Sequence, residues 1–123
     1  MIVRTCLLIS DDPDHHVDFS EALYAISNDT VLMTVSDVKK AIELLILKKC
    51  IPEYVFVNLS MPGIAADEFF SVLNRDATLA NISVIAFGEN VDAGTLDTSR
   101  IALFIEEELG FSELKEELRR VIG

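Results

Sequence analysis

The segment Tyr54-Val55-Phe56-Val57-Asn58-Leu59-Ser60-Met61-Pro62-Gly63 decides how the rest of the chain is read. Its first half is a nearly continuous apolar run of β-branched and aromatic residues, the pattern of a strand covered on both faces. Pro52 before it and Met61-Pro62-Gly63 after it end helices and make turns. A strand buried on both faces belongs to a parallel sheet, and parallel strands are joined by long crossovers that are usually helical. The flanking sequence should therefore alternate strands with amphipathic helices.

It does so in both directions. Towards the N-terminus, Val31 to Val35 is a β-branched run after the turn Asn28-Asp29-Thr30, and Val3 to Ser10 is a second continuous apolar run. Between them Asp12-Pro13 has the form of an N-cap followed by proline in the first helical turn, with Val17, Phe19, Leu23 and Ile26 as a loosely helical face. Ser36 or Asp37 can cap a second helix whose Val38, Ala41, Ile42, Leu45 and Ile46 recur at three- and four-residue spacing, ending in Lys48-Lys49.

Towards the C-terminus, a third helix is predicted over Ala66 to Asn74 and a fourth strand over Ile82 to Phe87. Glu89 to Arg100 contains Gly94, Thr95, Thr98 and Ser99, so a helix there should be short or loose. Leu103 to Ile105 is the core of a fifth strand, and Phe111-Ser112 opens a last helix with Leu114, Leu118, Val121 and Ile122 on one face. The alternation predicts an α/β fold: a doubly wound, five-stranded parallel sheet with helices on both faces.

Composition narrows the function. A chain of 123 residues, half apolar and one quarter charged, fits one compact domain over residues 1–123, without an output domain. The net charge of −11, with ten dispersed Lys and Arg, opposes binding to nucleic acid. The apolar stretches fall well short of the roughly 20 residues needed to span a bilayer, and the N-terminal run lacks a signal-peptide cleavage site, so a cytoplasmic location is expected. Cys6 and Cys50 lie far apart with no CxxC spacing, which argues against disulfide or zinc chemistry.

Ligands in doubly wound sheets gather at the C-terminal edge of the strands. The candidates there are Ser10-Asp11-Asp12, Asn58 to Gly63, and Gly88. The pieces ISDDPDHHVDFSEAL, VFVNLSMPGIAADEFF, NISVIAFG and LFIEEELGFSELKEEL resemble, in order and spacing, the receiver domain of two-component response regulators, from about residue 3 to residue 122. The resemblance implies a flavodoxin-like fold with strand order 2-1-3-4-5. It also implies an acidic pair after the first strand that helps hold Mg²⁺, and an aspartate ending the third strand that takes a phosphoryl group from a histidine kinase. A hydroxyl residue after the fourth strand and a lysine after the fifth then couple phosphorylation to the face made by the fourth helix, fifth strand and fifth helix.

Against that pattern the chain departs at linked positions. Asn58 stands at the phosphoacceptor position, Gly88 at the hydroxyl position and Glu107 at the lysine position. With Pro13 aligned to the family's proline, Ser10 and Asp11 form the acidic pair with Asp12 just beyond; shifted by one residue, the pair is Asp11 and Asp12. An asparagine amide oxygen is neutral and its lone pair is delocalised, so it cannot replace a carboxylate as nucleophile. Mg²⁺ takes oxygen anions, and the loss of one or two carboxylates should leave its binding weak or absent.

Plainer roles stand beside these. Asp11 and Asp12 can simply cap the first helix, and Asn58 can close backbone hydrogen bonds at a strand end. His15 and His16 are adjacent, about 100° apart on a helix, and are expected at its surface rather than as a metal pair. Glu106 to Glu108 and the charged last helix read as a solvated rim. Asp12-Pro13-Asp14 departs from the dehalogenase-type phosphatase motif at His16, and acids after the first strand would repel a flavin phosphate.

The expectation is a stand-alone, degenerate receiver with no catalytic residue, metal or cofactor. It should act independently of phosphorylation by binding a protein in a signalling pathway, with no nucleic acid or membrane partner. A homodimer would use the face of the fourth helix, fifth strand and fifth helix. The rival reading is a weakly active Mg²⁺-dependent phosphoacceptor or phosphatase using Ser10, Ser60 or Asp11.

Overall fold

The computed structural model describes residues 4–27, 29–47, 51–60, 66–88, 101–105 and 111–122. Its elements run β1 (Arg4–Ile9), α1 (Pro13–Ile26), β2 (Thr30–Val35), α2 (Val38–Ile46), β3 (Tyr54–Asn58), α3 (Ala66–Arg75), β4 (Ser83–Phe87), β5 (Ile101–Ile105) and α4 (Phe111–Ile122). The parallel sheet has the order β2-β1-β3-β4 expected from the sequence, and Ile101–Ile105 pairs with the outer side of β4 past a register irregularity at Val84/Ile85. Central β1 is held on both sides, with Leu8 opposite Thr34 of β2 and Phe56 of β3. The segment Glu89 to Arg100, expected to be a short or loose helix, lies outside the described residues.

Side-chain alternation along the strands divides the core in two. Leu7, Ile9, Val55, Val57, Val84 and Ala86 point to one face, where α2 and α3 cover them with Val38, Ala41, Leu45, Phe69 and Leu73. Cys6, Leu8, Phe56, Ile85 and Phe87 point to the other, under Phe19, Ala22 and Leu23 of α1 and Leu114, Leu118 and Ile122 of α4. The continuous apolar runs of β1 and β3 are thus explained: both parities face helices. Val17, read from the sequence as part of the apolar face of α1, is instead 54% exposed. It lies about 200° round the helix from Phe19, and Ala22 completes the buried face in its place.

The caps act as the sequence indicates. Asp12 precedes Pro13 in an extended conformation and its side chain accepts from the Asp14 N–H at 2.9 Å. Of Ser36 and Asp37, Asp37 is the cap of α2, accepting from the Lys40 N–H at 2.7 Å. At the opposite end of the sheet the Arg4 guanidinium donates to the Ile122 carbonyl and the Tyr54 hydroxyl to the Val121 carbonyl, fastening the last turn of α4. Cys6 is enclosed between these layers, and burial, reinforced by the charge of Glu53 and partly offset by Arg4, pushes its thiol up to about 12. It is a core residue, not a reactive one.

Candidate functional site

Parallel register brings the predicted residues to one edge. Ile9 lies opposite Val57, so Ser10 and Asn58 follow side by side at the ends of β1 and β3. Asn58 in turn lies opposite Phe87, which places Gly88 just past the end of β4. The backbone joins these ends further, with Ser10 N–H donating to the Val35 carbonyl, Leu59 N–H to Phe87 and Gly88 N–H to Ile105. Glu107, the expected lysine position, lies outside the described residues, as do Met61 to Gly63.

Ser10 and Asn58 are the buried polar residues of the described core, at 0% and 5% exposure. Asn58 donates from Nδ2 to Ser10 Oγ at 3.2 Å, while its Oδ1 accepts from the Ser60 N–H at 2.9 Å. Since a backbone N–H can only donate, the Ser60 contact fixes which end of the amide is oxygen. Ser10 Oγ also accepts from the Asp12 N–H at 3.2 Å. Both hydroxyl lone pairs are then used, so the Ser10 proton goes to His15 Nδ1, 2.8 Å away. The other ring nitrogen of His15, Nε2, faces Asp12 Oδ2 at 3.7 Å.

His16 reaches the same residue from the other side, its Nε2–H donating to the Ser10 carbonyl at 2.7 Å. The histidines are thus not plain surface residues of α1: both are partly buried and both fold back onto Ser10. The His15 ring also meets Phe87 edge-on, with centroids 5.2 Å apart and planes at 83°. Side chains in a first helical turn lean towards the preceding loop, and here that loop is Ser10-Asp11-Asp12. The adjacency that rules out an i,i+4 metal pair is what lets the two rings straddle one residue.

The acids sit outside this network. Asp11 and Asp14 are exposed, and Asp12 is half-buried with one carboxylate oxygen committed to the helix cap. Their charge lies at the positive end of α1, where it is favourable without any cation. Among the described residues no group of three or more His, Cys, Asp or Glu is arranged to hold a metal ion. The two enclosed side chains, Ser10 and Asn58, are neutral and their oxygens already accept N–H groups, so neither offers Mg²⁺ a carboxylate. Gly88 has φ 151°, a region that favours glycine, so a threonine hydroxyl there would require the backbone to move.

No protein-family model matches the chain, and no curated protein matches it. Solved structures do. The phosphorylated cyanobacterial phytochrome response regulator RcpA superposes with a TM-score of 0.80 at 18% identity, over 97% of this chain and 91% of that one. The chemotaxis response regulator CheY4 of Vibrio cholerae gives 0.75 at 14% identity, over 98% and 99%. The Mn²⁺-bound response regulator Rcp1 gives 0.78 at 15% identity, over 96% and 91%. The chain has the flavodoxin-like α/β fold of response-regulator receiver domains, and no helix among its described residues is long and apolar enough to cross a membrane.

Proposed function

We propose that this chain is a degenerate receiver of the two-component type: a cytoplasmic signalling module that has given up phosphoryl transfer and acts by binding another protein. The full five-stranded receiver closure, with Ile101–Ile105 as its edge strand, belongs to this reading. The observation that carries it is the buried 3.2 Å hydrogen bond from Asn58 Nδ2 to Ser10 Oγ. It lies between the strand ends where a receiver holds its phosphoacceptor and one of its cation-binding acids. A working receiver needs anionic oxygens there, to attack phosphorus and to hold Mg²⁺.

Here an amide donor and a hydroxyl occupy that place and satisfy each other. Ser10, the rival nucleophile, is fully enclosed, with both lone pairs occupied. Incubating the chain with acetyl phosphate and Mg²⁺ and measuring its intact mass tests the reading. An unchanged mass is expected; stoichiometric, Mg²⁺-dependent gain of one phosphoryl group would restore the rival, a working phosphoacceptor.

A further inference from the structure

Ser10 Oγ has one proton to give and two lone pairs to offer, and its neighbours use all three. The Asp12 N–H and Asn58 Nδ2, each at 3.2 Å, can only donate, so they hold the lone pairs and the proton points to His15 Nδ1 at 2.8 Å. That third bond lasts only while Nδ1 has a free lone pair. A ring protonated on both nitrogens donates from each, and would set hydrogen against hydrogen at Ser10. The His15 side chain is 25% exposed, so solvent can deliver the proton.

We propose that His15 is a proton-operated latch on the strand ends: when its ring gains a second proton, the Ser10 hydroxyl loses its acceptor and the Asn58 amide turns over to supply one. Among the described partners of Ser10 Oγ, Asn58 can present an oxygen and the Asp12 N–H cannot. With the amide turned, Ser10 accepts from Asp12 and His15 and donates to Asn58 Oδ1, so its three bonds are again complete. The loss falls on the Ser60 N–H, which Oδ1 receives at 2.9 Å before the turn. Ser60 stands immediately before Met61-Pro62-Gly63, so a proton taken up at the start of α1 is passed to the segment that follows β3. The two hydrogen-bond arrangements exclude each other, which makes the amide a two-state element.

Asp12 is the charged group facing the ring, its Oδ2 3.7 Å from Nε2, and it gives the imidazolium a counter-ion. Asp11, Asp14 and Asp18, on the same segment, are exposed. From the sheet, β1 and β4 meet the ring with Ser10 and Phe87, neither of which titrates. On α4, Arg119 and Arg120 pair with Glu116 and Glu117. Glu89 and Glu106 to Glu108, which follow β4 and β5 in the chain, lie outside the described residues. His16 is the internal control: its Nε2 donates to the Ser10 carbonyl at 2.7 Å, and a second proton, taken at Nδ1, leaves that donor in place. The latch rests on these hydrogen bonds and not on the signalling role.

Nuclear magnetic resonance of the full chain from about pH 8 to about pH 5, following both histidine rings, the Asn58 side-chain amide and the Ser60 N–H, tests the proposal. The expected result is that the Asn58 and Ser60 resonances shift with the midpoint of the His15 ring. The shift should be lost in His15→Asn, whose side-chain oxygen can accept from Ser10 throughout that range, and should persist in His16→Gln. Asn58 and Ser60 resonances that stay fixed while the His15 ring titrates overturn the proposal. So does a shift that follows His16 or survives in His15→Asn, and so does a His15 ring that takes up no second proton by about pH 5.

Discussion

Ser10 and Asn58 are enclosed and neutral, whereas Asp11, Asp12 and Asp14, beginning one residue further on, stand at the rim and carry charge. The two groups share one strand end but meet different demands. Inside, each hydrogen-bonding atom must find a partner because water cannot reach it, and an unpaired charge would be costly. At the rim, carboxylates are hydrated and gain from the positive end of α1. The contrast teaches that an acidic sequence after a strand need not make an acidic pocket. What matters is which positions the register encloses, and here those hold a hydroxyl and an amide.

The sharpest way to break this contrast is to put charge inside. Asn58→Asp should lower stability at pH 7 by about 3 kcal/mol, because a carboxylate replaces an amide whose donor served Ser10. Burial favours the neutral acid, so the deficit should shrink as pH falls towards the ordinary aspartate range of about 4. Urea denaturation across that range checks it; a variant as stable as the parent at pH 7 would show that the enclosed site accepts an anion.

Removing the hub instead of charging it should cost less. Ser10→Ala deprives the Asp12 N–H, Asn58 Nδ2 and His15 Nδ1 of a shared partner, at about 2 kcal/mol. A double-mutant cycle with Asn58→Ala should give a coupling of about 1 kcal/mol, because the two side chains touch. Additive effects would mean that their hydrogen bond contributes nothing.

Cys6 extends the comparison along the same strand, since its surroundings also resist charge. Its thiol is raised from 9.0 to about 12, first by burial and then by Glu53. Below pH 9 the thiol is protonated in both folded and unfolded chains and the stability is fully present. Above it the unfolded chain ionises first, so stability should fall by up to about 1.4 kcal/mol per pH unit towards pH 12. Denaturation of the parent and of Cys6→Val between pH 8 and 10.5 should show the extra alkaline loss in the parent alone.

At the rim the effects should be smallest. Asp12→Ala removes the α1 cap and should cost about 1 kcal/mol. Asp11→Asn, at an exposed position, should change stability by less than about 0.5 kcal/mol. A loss of 2 kcal/mol or more at Asp11 would mean that it reaches into the enclosed network.

Why some of this was legible and some was not follows from the kinds of signal involved. The β1, β3 and β4 runs are apolar at both parities, so their burial and the convergence of their ends could be read from the sequence alone. Asn58 followed from its place at the end of one such run, and the Asp12 cap from the proline after it. The histidines did not follow: a helical wheel separates neighbours by angle but omits the preceding loop, towards which first-turn side chains lean. Val17 misled because a loosely periodic face can be drawn through it or through Ala22, and tertiary packing decided for Ala22. Gly88 was legible as a missing hydroxyl but not as a backbone requirement, since its φ of 151° has no signature beyond the glycine itself.

The most direct measurement follows the Asn58 side-chain amide by nuclear magnetic resonance while Mg²⁺ is raised to about 10 mM. With Nδ2 donating to Ser10 and Oδ1 accepting from Ser60, its two amide proton resonances should stay in place and keep their slow exchange with water. A saturable shift of those resonances, with accelerated exchange, would show that the cation enters between the strand ends and breaks the bond, contradicting a closed, neutral site.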